Sequence, residues 1–223
     1  MRLFLASEGL GSFADELKRL ARNNKRVLLI TNARDHRSDE ARKEVVNNDK
    51  RLFTQNGFVV DELDLRLYFN KPAVLDSFVK KYKPGCVFCI GGNFYSLATA
   101  LKLSGMHNIL QRDLEGDRYV YGGYSAGAMN AAEDLMFYAG NFSRRDGDRI
   151  AQAKNVYGEV FTDGLGLVEE YVLPHANRSE YAEVIQKAGD LSISENKKVI
   201  KLKDTDAFVV DGNERKILRT CAV

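Results

Sequence analysis

Short apolar runs alternate with amphipathic stretches along most of this chain, and that alternation restricts the fold more than any other feature. "RLFLA" at residues 2–6 precedes "SFADELKRLAR", where Phe13, Leu17, Leu20 and Ala21 recur at helical spacing. "RVLLIT" is a β-rich run, and "SDEARKEVVNNDKRLFTQNG" reads as a helix that opens on a Ser or Asp cap and stops at Gly57. "FVVDELDL" and "CVFCI" read as strands, and "KPAVLDSFVKKYK", "NFYSLATALKLSG" and "HNILQRDLEG" as helices. A further strand falls at 118–122, followed later by "GLGLVEEYVLPH" and a helix in "RSEYAEVIQKAGD". The end of the chain, "KVIKLKDTDAFVVDGNERKILRT", reads as strands joined by a turn at Asp211-Gly212-Asn213. Strands separated by helices imply βαβ units, hence an α/β fold with a mainly parallel sheet covered on both faces. The expectation is one three-layer αβα domain over residues 1–223.

Composition limits what such a domain can do. Formal net charge is only +2 among 29% charged residues, and basic and acidic residues are interspersed, as in "ELKRLARNNKR" and "DHRSDEARKE". That argues against a nucleic-acid or anionic-membrane surface. The N-terminal apolar run is broken by Ser7 and Glu8, too early for a secretory signal of about 7–15 apolar residues. No segment approaches the ~20 apolar residues of a membrane span, so a cytoplasmic protein is expected. Cys86 and Cys89 form a C-x-x-C inside an apolar run, where residues three apart on a strand point to opposite faces. They read as buried strand cysteines, since no second pair completes a zinc site and Cys221 is terminal.

In parallel sheets ligands gather at the C-terminal ends of the strands. Two glycine pairs fall there, Gly91-Gly92 after "CVFCI" and Gly122-Gly123 after "YVY". Neither matches G-x-G-x-x-G or G-x-x-x-x-G-K-[ST], which makes a nucleotide cradle a poor explanation. The second pair leads into Gly123-Tyr124-Ser125-Ala126-Gly127, a G-x-S-x-G pattern placed where a strand feeds into a helix. In that context a serine is held strained and exposed as a nucleophile, with the helix N-terminus and the Ala126 N–H facing a developing oxyanion. The bland alternative is a tight turn whose serine caps the helix.

A nucleophilic serine needs a base, and the chain has three histidines. His36 sits in the charged, surface-like "NARDHRSDE", and His107 near a helix start in "GMHNIL". His175 closes "EEYVLPHANRSEY" at a strand end, with Pro174 fixing the backbone before it. For the acid that orients the imidazole, Asp204 and Asp206 lie between two apolar runs, with Glu133, Asp134 and Asp163 as rivals. The best acid follows the histidine, giving the order Ser-His-Asp rather than the Ser-acid-His of α/β-hydrolases.

"CIGGNFYSL", "GGYSAGAMN" and "VLPHANR" together resemble the dipeptidase E (α-aspartyl dipeptidase) family of serine peptidases, which includes cyanophycinases, over roughly residues 84–210. The resemblance implies a class I glutamine amidotransferase-like (flavodoxin-like) fold, with serine in place of the amidotransferase cysteine. It implies Ser125 as nucleophile, His175 as general base and Asp204 as its support. Gly92, with Gly91, and Ala126 would supply oxyanion N–H groups, and Asn93 would hold that loop. The chain departs from the pattern in reading Ile90-Gly91-Gly92 for a triple glycine and Asp for the usual Glu, which leaves Asp206 open as the acid. The region "EDLMFYAGNFSRRDGD" does not match the segment that recognises an N-terminal aspartate, although Arg144 and Arg145 offer cations for a substrate carboxylate. The implied activity is hydrolysis of dipeptides or short peptides, with no metal and no organic cofactor. The expected partner is a small peptide substrate, with neither nucleic acid nor membrane, and a homodimer is an admissible assembly. Two rivals are a cyanophycinase-like hydrolase of another amide or isopeptide bond and an inactive binding protein of the same fold.

Overall fold

A computed structural model describes residues 1–138, 146–194 and 196–220. The strands β1 (Arg2–Ala6), β2 (Arg26–Ile30), β3 (Val59–Leu63), β4 (Cys86–Cys89) and β5 (Val120–Tyr124) pair in parallel in the order β3-β2-β4-β5-β1. Two later strands, β6 (Glu170–Leu173) and β7 (Lys198–Lys201), pair with each other as a separate parallel ribbon. The hairpin β8 (Ala207–Asp211) and β9 (Glu214–Leu218) then adds antiparallel to β1 and completes a seven-stranded sheet. Its turn places Gly212 at φ +61°, a backbone conformation that glycine adopts without steric cost.

Side chains alternate across the sheet and build two cores. Leu3, Leu5, Leu28, Ile30, Val87, Cys89 and Tyr121 face one side. There they meet α3 (Pro72–Tyr82), α4 (Phe94–Ser104), α5 (Met106–Glu115) and, through Val184 and Ala188, α8 (Ala182–Ser194). Phe4, Val27, Leu29, Cys86 and Phe88 face the other side, against α1 (Ala14–Leu20) and Phe53 of α2 (Asp39–Gln55). Each fully buried leucine or phenylalanine contributes about 1.5–3 kcal/mol. The strand period therefore produces three layers, as the alternation of runs predicts. Cys86 and Cys89 fall into opposite cores, and burial pushes the Cys89 thiol up to about 12, so neither thiol is reactive at neutral pH.

Helix ends follow local chemistry. Ser38 accepts a hydrogen bond from the Ala41 N–H and opens α2, which carries Asp39 and Glu40 in its first turn. Pro72 occupies the first turn of α3.

Three details differ from the sequence reading. Gly122 and Gly123 lie inside β5, paired with Phe4 and Leu5 of β1, rather than in a turn after it. A Cβ on Gly122 would stand 2.3 Å from the Phe88 ring, and one on Gly123 2.6 Å from the Gly127 backbone, so close packing requires both glycines within the strand. The helix after Ser125, α6 (Ala126–Met129), is a single turn. Finally, β6 and β7 stand apart from the main sheet, a separation that the period of their side chains does not encode.

Candidate active site

All but one of the segments around the candidate site follow the C-terminal end of a parallel strand. Ser7 and Glu8 follow β1, Arg34 to Arg37 follow β2, Gly91 and Gly92 follow β4, Ser125 follows β5, His175 follows β6 and Asp204 follows β7. Together with α7 (Asp146–Tyr157) they enclose a cleft of about 490 Å³ that includes Ser125, His175 and Gly92 in its lining.

Ser125 has φ +49° and ψ −111°, outside the allowed regions for an L-residue, and its side chain makes no capping bond to α6. The turn-and-cap alternative is thereby removed. Its backbone is fixed from both sides: the Ser125 N–H donates to the Ala6 carbonyl at 3.1 Å, and its carbonyl accepts from Met129 at 2.9 Å. The turn is sharp because a Cβ on Gly127 would stand 2.2 Å from the Cys89 carbonyl oxygen. Only a glycine lets α6 sit so close to β4.

His175 is a second non-glycine residue at positive φ, +61°. Its backbone N–H donates to the Ser7 hydroxyl at 2.7 Å. Its ring packs flat against Tyr181, with centroids 5.4 Å apart. The Nε2 atom lies 3.3 Å from Ser125 Oγ, and Nδ1 lies 2.7 Å from Asp204 Oδ1. The other Asp204 oxygen accepts from Arg178 Nε at 2.7 Å, while the Asp204 N–H donates to Asn177 at 2.8 Å. Burial alone would raise the Asp204 carboxyl, but hydrogen bonds and charge from Arg178 and then His175 outweigh it and hold it below the ordinary carboxylate range.

Asp206, the open alternative, is turned away. It is buried, and its carboxylate accepts from the Lys203 N–H at 3.0 Å, closing the turn before β8. The other rivals lie elsewhere: Asp134 accepts from the Met136 N–H, Asp163 pairs with Lys102, and Glu133 borders a separate cavity with Asp163. His107 borders that cavity too, lowered to about 4 by burial and by Lys102.

The loop after β4 is built for close approach. Gly92 has φ +151°, and a Cβ there would stand 2.3 Å from the Ala33 carbonyl oxygen. Asn93 is the N-cap of α4, accepting from Tyr95 and Ser96, and its amide donates to the Arg149 carbonyl of α7 at 2.8 Å. Among the described residues the N–H groups of Gly91, Gly92 and Ala126 have no hydrogen-bond acceptor. With α6 only one turn long, the Ala126 N–H itself, rather than a helix dipole, is what this element can offer an oxyanion.

Glu8, His175 and Asp204 are the one group of potential metal ligands among the described residues. Arg178 bonds to both carboxylates, Glu8 through its terminal nitrogen and Asp204 through Nε, so a cation already bridges them. A metal would have to displace it.

Of the residues that sequence reasoning brought together, Ser125, His175, Gly92 and Asn93 line this cleft, Asp204 reaches it through His175, and Gly91 and Ala126 flank Gly92 and Ser125. That reasoning missed Ser7, Glu8, Arg178 and Tyr181, and it assigned His36 to a surface loop. His36 instead lines the cleft half-buried, and burial together with Arg37, Arg34 and Arg149 lowers its pKa. The position of "NARDHR" directly after β2 was the available signal. Arg144 and Arg145 lie outside the described residues, as does Cys221.

A strained serine, a bridging histidine and a supported aspartate on a mainly parallel sheet invite comparison with known hydrolases. The model of peptidase family S51 matches residues 3–218. The chain belongs to peptidase family S51, the dipeptidase E family. An S51 peptidase is a hydrolase, which restricts the chemistry of the cleft to cleavage of peptide-like bonds. An uncharacterized peptidase of Pasteurella multocida (strain Pm70) is 30% identical over 223 residues, covering 98% of this chain and 97% of that relative. An uncharacterized peptidase of Listeria monocytogenes is 24% identical over 142 residues, 64% of this chain and 62% of its own length. A crystal structure from Listeria monocytogenes EGD-e, ascribed to peptidase E, superposes with a TM-score of 0.75 at 22% identity, covering 99% of this chain and 98% of that one. A peptidase from an acI-B1 actinobacterium gives 0.67 at 17% identity, with 98% and 87% covered. These likenesses carry the fold, the layered amidotransferase-like architecture that the motifs imply. No helix among the described residues is long and apolar enough to cross a membrane.

Proposed function

We propose that this S51 peptidase hydrolyses dipeptides or short peptides through an acyl-enzyme on Ser125. The observation that carries the reading is the chain of contacts from Ser125 Oγ through His175, at 3.3 Å and then 2.7 Å, to Asp204. His175 Nε2 takes the Ser125 proton as Oγ attacks the peptide carbonyl, and Asp204 holds the Nδ1–H tautomer and stabilises the imidazolium. The N–H groups of Gly92 and Ala126, with Gly91 beside them, receive the tetrahedral oxyanion, each worth about 3–4 kcal/mol to the transition state. His175 then protonates the leaving amine, and water, deprotonated by the same imidazole, releases the acid product. Every step uses side chains and backbone of this chain, with neither metal nor organic cofactor. A cleft of about 490 Å³ suits a short peptide rather than a folded protein.

A fluorophosphonate probe tests the nucleophile: wild type is labelled and Ser125→Ala is not. Absence of a Ser125-dependent adduct in folded protein overturns the mechanism. A panel of dipeptides run beside β-linked aspartyl-arginine tests the substrate, and turnover of the β-linked compound alone replaces the dipeptidase reading with a cyanophycinase-like one.

A further inference from the structure

The cleft has two chemically different walls. On one side Glu8 and Asp204 share the single guanidinium of Arg178 beside His175, two carboxylates to one cation. On the other stand Arg34, Arg37 and Arg149, faced among the lining residues by Asp148 as the remaining carboxylate. Neither Arg34 nor Arg149 has an ion-pair partner among the described residues. Arg34 is half-buried, and its Nε finds no acceptor. Asp49, whose carboxyl Arg34 lowers, accepts from the Tyr124 hydroxyl on both oxygens, at 3.0 and 3.2 Å. Arg149 is anchored by its own carbonyl to Asn93, and its guanidinium lies 5.4 Å from the centre of the Phe94 ring. Arg34, Arg37 and Arg149 line the same cleft as His36, whose charged form they disfavour.

Half-buried guanidinium groups that form no ion pair among the described residues can take an anion from the cleft, and the planar fork of arginine matches a carboxylate. We propose that Arg34 and Arg149 form a carboxylate subsite whose occupant is the free C-terminal carboxylate of the peptide substrate. This rests on the serine peptidase reading of the same cleft and gives its length selection a cause. In a dipeptide the terminal carboxylate is separated from the scissile carbonyl only by the amide nitrogen and one α-carbon, so one cleft can hold both groups. In a long peptide that carboxylate is out of reach, and the unpaired arginines stay uncompensated. An acidic side chain is the other source of a carboxylate, but only some peptides carry one, whereas every short peptide brings its terminus to the site.

The test is calorimetric binding to full-length Ser125→Ala protein, using Ala-Leu with its C-terminal amide and Asp-Leu with its C-terminal amide. Amidation is expected to weaken binding about 10- to 100-fold in both pairs, the range for hydrogen bonds to a charged group. Adding Arg34→Met or, separately, Arg149→Met is expected to shrink that difference to about twofold. Melting curves establish that each variant is folded, and two independent variants guard against the failure of one. If amidation costs nothing, or its cost survives both substitutions, the subsite is overturned. If the arginine variants change only the preference for Asp-Leu over Ala-Leu, the carboxylate is a side chain and the proposal is wrong. Wild-type labelling by the fluorophosphonate keeps the two levels apart: labelled protein without amide discrimination overturns the subsite alone. Unlabelled protein that binds no peptide removes both the mechanism and the subsite.

Discussion

The backbone N–H of His175 donates to the hydroxyl of Ser7 at 2.7 Å, although the two residues are 168 positions apart. Ser7 is fully buried at the end of β1, one residue after Ala6, whose carbonyl accepts the Ser125 N–H. One strand end therefore fixes the backbone of both Ser125 and His175. The bond also holds His175 in its left-handed conformation, which an L-residue adopts only when its surroundings enforce it.

Ser7→Ala should consequently lower kcat with little change in KM. Losing a neutral hydrogen bond of about 1 kcal/mol corresponds to a fall of about fivefold, and Ser7→Thr, which keeps the hydroxyl, should restore much of it. Steady-state kinetics on a dipeptide decide the matter; an unchanged kcat for Ser7→Ala shows that His175 is positioned without it.

Asp204 and Asp206 should separate cleanly. Asp204→Asn replaces the carboxylate at His175 Nδ1 with a neutral amide that neither enforces the Nδ1–H tautomer nor stabilises the imidazolium, and should reduce kcat on the order of 10³- to 10⁴-fold while leaving the fold intact. Asp206→Ala should act on stability, lowering Tm by removing the acceptor of the Lys203 N–H, with activity within a few-fold of wild type. The reverse pattern in kcat and Tm would transfer the catalytic role to Asp206.

The sequence made Ser125, His175 and the two aspartates legible as candidates because each sits at the junction of an apolar run and a polar turn. Asp204 and Asp206 could not be told apart there, since residues two positions apart in a turn have no fixed periodicity. Ser7 and Arg178 were invisible for a related reason: both work through contacts with residues remote in the chain. The strands themselves were readable as short apolar runs between polar segments, and the strand period put Cys86 and Cys89 on opposite faces. The glycines of β5 were misread as a turn because their cause is the Phe88 ring on a neighbouring strand.

Arg178→Met should alter stability in a pH-dependent way. Arg178 is the main group drawing the folded Asp204 carboxyl below its ordinary value of about 4. Stabilisation from a depressed carboxyl is complete above the unfolded value and is lost as pH falls through the folded one. The variant should therefore melt below wild type at pH 7, and the gap should narrow as pH drops below about 4. A gap independent of pH between 7 and 2 would mean that Arg178 acts by packing rather than charge.

Asp49 carries the opposite sign. Burial raises its carboxyl to about 6, against the Tyr124 hydroxyl and Arg34, which lower it. A raised folded value stabilises below the unfolded value of about 4, and that contribution disappears as pH rises through 6. Asp49→Asn keeps an acceptor for Tyr124 and should be more stable than wild type above pH 6, by up to about 3 kcal/mol, with little difference at pH 4. Denaturant titrations at pH 4 and pH 8 measure this directly, and equal stabilities at pH 8 would refute it.

The separate β6–β7 ribbon has a mechanical consequence. His175 and Asp204 leave its two strands side by side, laced by bonds from Leu202 to Leu173 and from Ala176 to Leu202, both at 2.9 Å, whereas Ser125 belongs to the main sheet. Histidine and aspartate thus share one carriage, and the serine stands on the platform. The only member of the relay that spans the two bodies is its longest contact, the 3.3 Å from Ser125 Oγ to His175 Nε2. In the proposed triad the width of that gap depends on how the ribbon is moored to the main sheet, and the Ser7 hydroxyl that accepts the His175 N–H is one such mooring.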